Sequence, residues 1–152
     1  MNSASDYDFD FEDWPFYWLA KADRAYLAVL EVILSQLGLD IPRWRVLMVL
    51  HSRTTASVSE LAEHSIVKLS TMTKIIQRMR VDGLVDTASS RKDGRVTEVT
   101  ITKKGERAGK TAWTEANIIM QSAFSDFTDT EQKIMQALLQ KLALNLSSLK
   151  HS

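Results

Sequence analysis

The chain has 152 residues, 45% of them hydrophobic, with 19 basic and 19 acidic side chains and no cysteine. This suits one domain with a real core, or a small domain plus dimerisation helices. It excludes disulfides, thiolate zinc sites and cysteine redox switches. No apolar run approaches the roughly 18 residues of a membrane span, and no basic-then-apolar secretory segment opens the sequence. His51, His64 and His151 are too scattered for metal-ligand spacing. A cytoplasmic chain is expected, with no membrane, no metal and no cofactor.

Charge is unevenly placed along this neutral chain. Residues 1–14 hold Asp6, Asp8, Asp10, Glu12 and Asp13 with no cation, and are expected to form a mobile acidic N-terminus. Residues 67–110 hold eleven basic against five acidic side chains. Attraction to phosphates follows that local field and not the chain total, so the distribution favours a nucleic acid.

From Phe16 to Leu37, the apolar positions Leu19, Ala22, Tyr26, Val29, Ile33 and Leu37 recur every three or four residues and predict an amphipathic helix that Gly38 ends. Asp40 caps the next helix, Pro42 sits in its first turn, and Trp44, Leu47, Met48 and Leu50 supply its buried face. Ser57-Val58-Ser59-Glu60 is a capping box opening a short helix through His64. A turn at Ser65-Ile66-Val67 leads into a helix over Lys68–Val81, with Met72, Ile75, Ile76 and Met79 inward, and Gly83 stops it. Leu84-Val85 begins a strand, and the β-branched run to Thr102 supplies its partner. Asp93-Gly94 between them predicts a tight hairpin turn in which Gly takes a positive φ. Lys103–Phe124 returns to helix. Thr128 and Glu131 open a last helix with the stripe Ile134, Leu138, Leu142, Leu146 and Leu149.

The expected fold is mainly α with a small β-hairpin: a winged helix-turn-helix core over about 41–102, with dimerisation helices over about 15–37 and 103–149, in a single domain spanning 15–150. The outer helices need a place to bury their apolar stripes, and a two-fold partner is the simplest one.

The Lys68–Val81 helix presents Lys68, Ser70, Thr71, Thr73, Lys74, Gln77 and Arg78 away from its apolar stripe. Hydroxyls and cations there suit base edges and phosphates in a major groove. At the hairpin tip, Arg95 is the candidate for a narrow minor groove. Arg91 and Lys92 suit phosphate contacts, and Asp93 braces the turn or a neighbouring arginine. A second constellation is aromatic and basic: Trp18, Lys21, Arg24, Tyr26, Trp44, Arg45 and Trp113, with Trp14, Phe16 and Tyr17 nearby. An apolar cleft with a few convergent polar groups is what a small-ligand site looks like. No nucleophile elbow, phosphate loop, zinc motif or plausible carboxylate pair suggests an enzyme.

The chain resembles the multiple-antibiotic-resistance regulator (MarR) family of dimeric transcription factors over roughly Phe16 to Leu149. Asp93-Gly94-Arg95, followed by Val99-Thr100-Ile101-Thr102 and Gly105, is similar to the family's wing signature and the start of its fifth helix. Trp44-Arg45-Val46-Leu47, Ser59-Glu60-Leu61-Ala62, Ser70-Thr71-Met72-Thr73-Lys74 and Gly83-Leu84-Val85 support it. The resemblance implies a homodimer that binds a pseudo-palindromic operator in double-stranded DNA through the Lys68 helix and the wing. It further implies a cleft between the first, second and fifth helices that takes an aromatic acid, with Lys21 and Arg24 at matching positions. The expected function is a repressor released by a small aromatic carboxylate; the alternative is a constitutive winged-helix DNA-binding protein. Two departures stand out: Ser65-Ile66-Val67 lacks the family's frequent glycine, and Lys68 replaces a capping Ser, Asp or Asn. Both leave the entry angle of the recognition helix open.

Overall fold

A computed structural model of the chain describes residues 10–149. Most of the expected acidic N-terminus lies outside them, but Phe11–Asp13 form a single 3-10 turn capped by the Asp10 carboxylate. Six helices follow: α1 Pro15–Gln36, α2 Ile41–Arg53, α3 Val58–His64, α4 Leu69–Val81, α5 Lys103–Ala123 and α6 Asp129–Leu149. Between them run β1 Thr55–Ser57, β2 Val85–Ser89 and β3 Thr97–Ile101. Residues 10–116 form one compact unit and 117–149 a second. No single helix among the described residues is long and apolar enough to cross a membrane.

The predicted capping boxes are present. Ser57 Oγ accepts from the Glu60 N–H while the Glu60 carboxylate accepts from the Ser57 N–H; Thr128 and Glu131 repeat the exchange. These backbone donors, with the adjacent hydroxyls, hold both glutamates below their ordinary pKa. α1 and α4 both end in Schellman turns. At the end of α4, the Leu84 N–H reaches the Met79 carbonyl and the Gly83 N–H reaches that of Arg80. Gly83 takes φ +74°, which only glycine adopts at little cost.

The first unit's core joins Leu30 and Leu34 of α1 to Leu47 and Leu50 of α2, Leu61 of α3, Met72 and Met79 of α4, and Val85 and Val99 of the sheet. Two sequence expectations are corrected here. Met48 is exposed, because α2 turns Val46 inward instead. On α1, Leu19, Tyr26, Val29 and Leu37 of the expected stripe are exposed, and the side facing the core carries Leu30 and Leu34.

The expected hairpin is present as β2 and β3, and β1 extends it to a three-stranded antiparallel sheet ordered β1-β3-β2. β1 is too short to show a period of two and exists through its partner: Thr55 pairs with Thr100 and Ser57 with Glu98. The tip is not a two-residue turn. Residues 90–96 separate the strands, so the connection closes without a positive φ at Gly94, and the left-handed glycines are Gly38 and Gly83. Val96 N–H instead bonds the Asp93 carbonyl at 2.9 Å and Ser90 N–H the Val96 carbonyl at 2.8 Å.

Candidate nucleic-acid interface

α4 is a ridge whose buried side is set by Met72, Ile76 and Met79. Lys68 occupies its N-cap with extended backbone and no side-chain cap bond, since an ammonium carries no acceptor for the helix N–H groups. The preceding turn has the hydrogen bonding of a Schellman motif: Val67 N–H reaches the Ala62 carbonyl and Ile66 N–H that of Glu63, both at 3.1 Å. Its left-handed position, φ +59°, is held by Ile66.

Ser70, Thr71, Thr73, Lys74, Gln77, Arg78 and Arg80 are exposed along the ridge, which separates two grooves. The first, about 390 Å³, sets Thr73, Gln77 and Arg80 opposite Arg95 and Val96 of the wing. The second, about 580 Å³, sets Lys74 and Arg78 beside Asp40, Arg43 and Asp82. Gln77 lines both. The fold thus brings Thr73 and Gln77 of the predicted helix together with Arg95 of the wing, whereas Lys74 and Arg78 line the other groove and Lys68, Ser70, Thr71, Arg91 and Lys92 line neither. Arg80 joins the first groove beyond the residues expected from the sequence; its spacing of seven from Thr73 and three from Gln77, legible in the sequence, puts it on their side of the helix.

Among the described residues, Lys74, Arg78, Arg80, Arg91 and Lys92 make no ion pair. Their charge is free to displace counterions from a nucleic-acid backbone. Arg95 differs: its Nε and Nη2 donate to the Asp93 carboxylate at 3.2 and 3.4 Å, and its own N–H donates there at 3.0 Å. The side chain is nonetheless 92% exposed. Asp93 thus braces both turn and arginine, and the arginine's bonds hold its carboxyl below the ordinary pKa.

The aromatic and basic constellation is distributed over three places. Lys21 Nζ lies 5.2 Å from the Tyr17 ring centroid and 5.5 Å from that of Trp18, within hydrogen-bond distance of the Tyr17 hydroxyl. Trp18 donates from Nε1 to the Glu12 carbonyl at 2.7 Å. Separately, buried Trp44 stands 6.2 Å from Trp113 with the rings tilted by 35°. Arg45 donates from Nη1 to the Ser65 carbonyl at 3.2 Å. Arg24 and Tyr26 are exposed on α1. No hydrogen bond, ion pair or ring contact among the described residues joins Trp18 and Lys21 to Trp44 and Trp113.

The fold recurs in known proteins. Residues 37–96 match the model of the MarR family. The transcriptional repressor IacR of Pseudomonas putida is 42% identical over 146 residues, covering 96% of this chain and 87% of that protein. A MarR-family regulator from Silicibacter pomeroyi superposes with a TM-score of 0.81 at 23% identity, over 90% of this chain and 92% of that one. BpsR of Bordetella bronchiseptica, whose DNA binding is regulated by 6-hydroxynicotinic acid, superposes with a TM-score of 0.79 at 21% identity, over 89% of this chain and 96% of that one. The winged helix-turn-helix fold, the match to the family's model and a relative 42% identical over 96% of this chain place it in the MarR family of transcriptional regulators.

Proposed function

We propose that the chain is a homodimeric repressor that releases operator DNA when a small aromatic carboxylate binds. The observation that carries the DNA half is the shared groove in which Thr73, Gln77 and Arg80 of α4 face Arg95 of the wing. α4 would enter the major groove. Ser70, Thr71, Thr73, Lys74 and Gln77 would meet base edges there, with Lys68, Arg78, Arg91 and Lys92 on phosphates. Residues 15–150 would act as one regulatory domain, its winged core over 41–102. Exposed Leu19, Tyr26 and Val29 on α1, and separately Ile134, Leu138 and Leu146 on α6, are apolar side chains that a partner subunit would cover.

For the effector half, the support is chemical. Lys21 lies against two aromatic faces, and Arg24 follows one helical turn later on exposed α1. A cation beside two rings set edge to face suits a planar acid, whose carboxylate pairs with the charge while the ring lies on an indole. The acid that regulates BpsR belongs to the same chemical class. Trp18 and Tyr26 would supply the ring contacts, with Lys21 or Arg24 as the anchor; buried Trp44 with its neighbour Trp113, and Arg45, occupied by Ser65, are left out of it.

The test is a duplex enriched by the parent chain from a random-sequence library, titrated with benzoate, cinnamate and indole-acetate type acids. Coupling of about 1–3 kcal/mol would weaken DNA binding roughly 5- to 150-fold. Specific DNA binding that no aromatic acid alters would replace the effector reading with that of a constitutive DNA-binding protein.

A further inference from the structure

We propose that Arg43 and Arg45 form a two-point brace through which α2 sets the pose of α4, making both arginines positioning residues. The inference rests on the reading of α4 as the element that enters DNA. Positions two apart on a helix point roughly 200° apart, so neighbouring arginines on α2 reach opposite ends of α4. At its C-terminal end, Arg43 Nε lies 3.2 Å from Asp40 and Nη1 3.5 Å from Asp82, the residue that caps α4. Asp40 also caps α2, accepting from the Arg43 N–H at 2.9 Å. The Asp82 carbonyl takes a further bond from Lys104 Nζ at 2.7 Å, which ties the start of α5 to the same point.

At the N-terminal end, Arg45 holds the Ser65 carbonyl in the turn that launches α4. The side-chain bond to this turn thus comes from α2, and among the described residues the buried Ser65 hydroxyl adds none of its own. Between the two arginines, Trp44 is buried against Trp113 and anchors their helix.

Stability is a poor reason for the Arg43 arrangement, because an ion pair to a half-exposed carboxylate contributes little. Electrostatics is a poor one too: Asp40 and Asp82 border the groove that holds Lys74 and Arg78, where acids oppose a polyanion. A brace accounts for both acids, since a recognition element must be held within about 0.5 Å of its productive geometry.

The experiment measures affinity of the full chain for the library-selected duplex by fluorescence anisotropy at several salt concentrations. The proteins are the parent, Asp82→Ala, Arg43→Ala, Arg43→Lys and Arg45→Ala, with Lys74→Ala and Gln77→Ala as controls. Charge alone predicts that Asp82→Ala binds tighter. The brace predicts the opposite: threefold or greater weakening for Asp82→Ala and Arg45→Ala, the parent's salt slope, thermal midpoints unchanged within a few degrees, and partial recovery in Arg43→Lys relative to Arg43→Ala. Asp82→Ala binding as tightly as the parent overturns the brace, and so does a salt slope smaller by about one in either arginine variant, the mark of a direct phosphate contact. Should Arg43→Ala fail to fold, Asp82→Ala decides the question, because its side chain is exposed. Controls that bind like the parent defeat the reading of α4 and the brace with it. Controls that weaken binding while Asp82→Ala does not defeat the brace alone.

Discussion

The Asp93 carboxylate accepts three hydrogen bonds from one residue, Arg95, which lies two positions along the wing. The guanidinium is thereby aimed while it remains almost wholly exposed. Arg95→Ala should leave the fold intact and lower DNA affinity tenfold or more, the scale of a specific groove contact. Anisotropy titration measures the loss; affinity equal to the parent's would remove the wing from the DNA interface.

The same pair sets a pH expectation. The arginine's side-chain bonds, and then its backbone N–H, depress the Asp93 pKa. A depressed acid contributes fully above its ordinary value and loses that contribution as pH falls through the lowered, folded-state value. Wing order should therefore be flat from pH 8 to 5 and decline only below about pH 4. Following the Arg95 amide by NMR through an acid titration tests this, and a transition centred between pH 5 and 7 would contradict it.

Ile66 holds the left-handed position of a Schellman turn with a β-branched side chain that is 77% exposed. The left-handed conformation costs a side chain-bearing residue about 1–2 kcal/mol, and substitution by glycine forfeits about 0.5–1 kcal/mol through unfolded-state freedom. Ile66→Gly should thus stabilise the protein by roughly 0.5–1 kcal/mol. Urea unfolding with an unchanged slope is the appropriate measurement; a lower midpoint would show the turn to be unstrained.

Gly105 lies where α5 passes the chain end of α4. A Cβ there would collide with the Leu84 carbonyl oxygen and stand 2.9 Å from Ile101 Cγ1. Backbone cannot swing aside as a side chain does, so Gly105→Ala should destabilise by about 1–3 kcal/mol or more. The thermal midpoint reports this, whereas Gly94→Ala, with open space around it, should leave the midpoint nearly unchanged.

The proposed dimer is checked by sedimentation. The exposed leucines and isoleucine of α6 should keep the parent dimeric at micromolar concentration, and Leu138→Asp with Leu146→Asp should shift it toward monomer. A parent that sediments as a stable folded monomer would refute the two-fold arrangement and, with it, an operator whose half-sites lie about 34 Å apart.

Local signals in the sequence determined most of the elements. Capping at Asp40, Ser57 and Thr128, stops at Gly38 and Gly83, and the apolar repeat of α4 act within one or two turns of chain, so the residues themselves reveal them. The polar side of α4 was readable for the same reason. Tertiary structure decided what depends on pairing across distance. β1 exists through β3, and α1 chooses Leu30 and Leu34 for the core over its more regular stripe because α2 packs there. It also decided which cations are spoken for. Arg95 meets an acid two residues away, a pairing the sequence could suggest, but Arg45 meets a carbonyl twenty residues on and Arg43 the acid that caps another helix. Periodicity assigns a side chain to a face; only the packed helices determine which partner waits there.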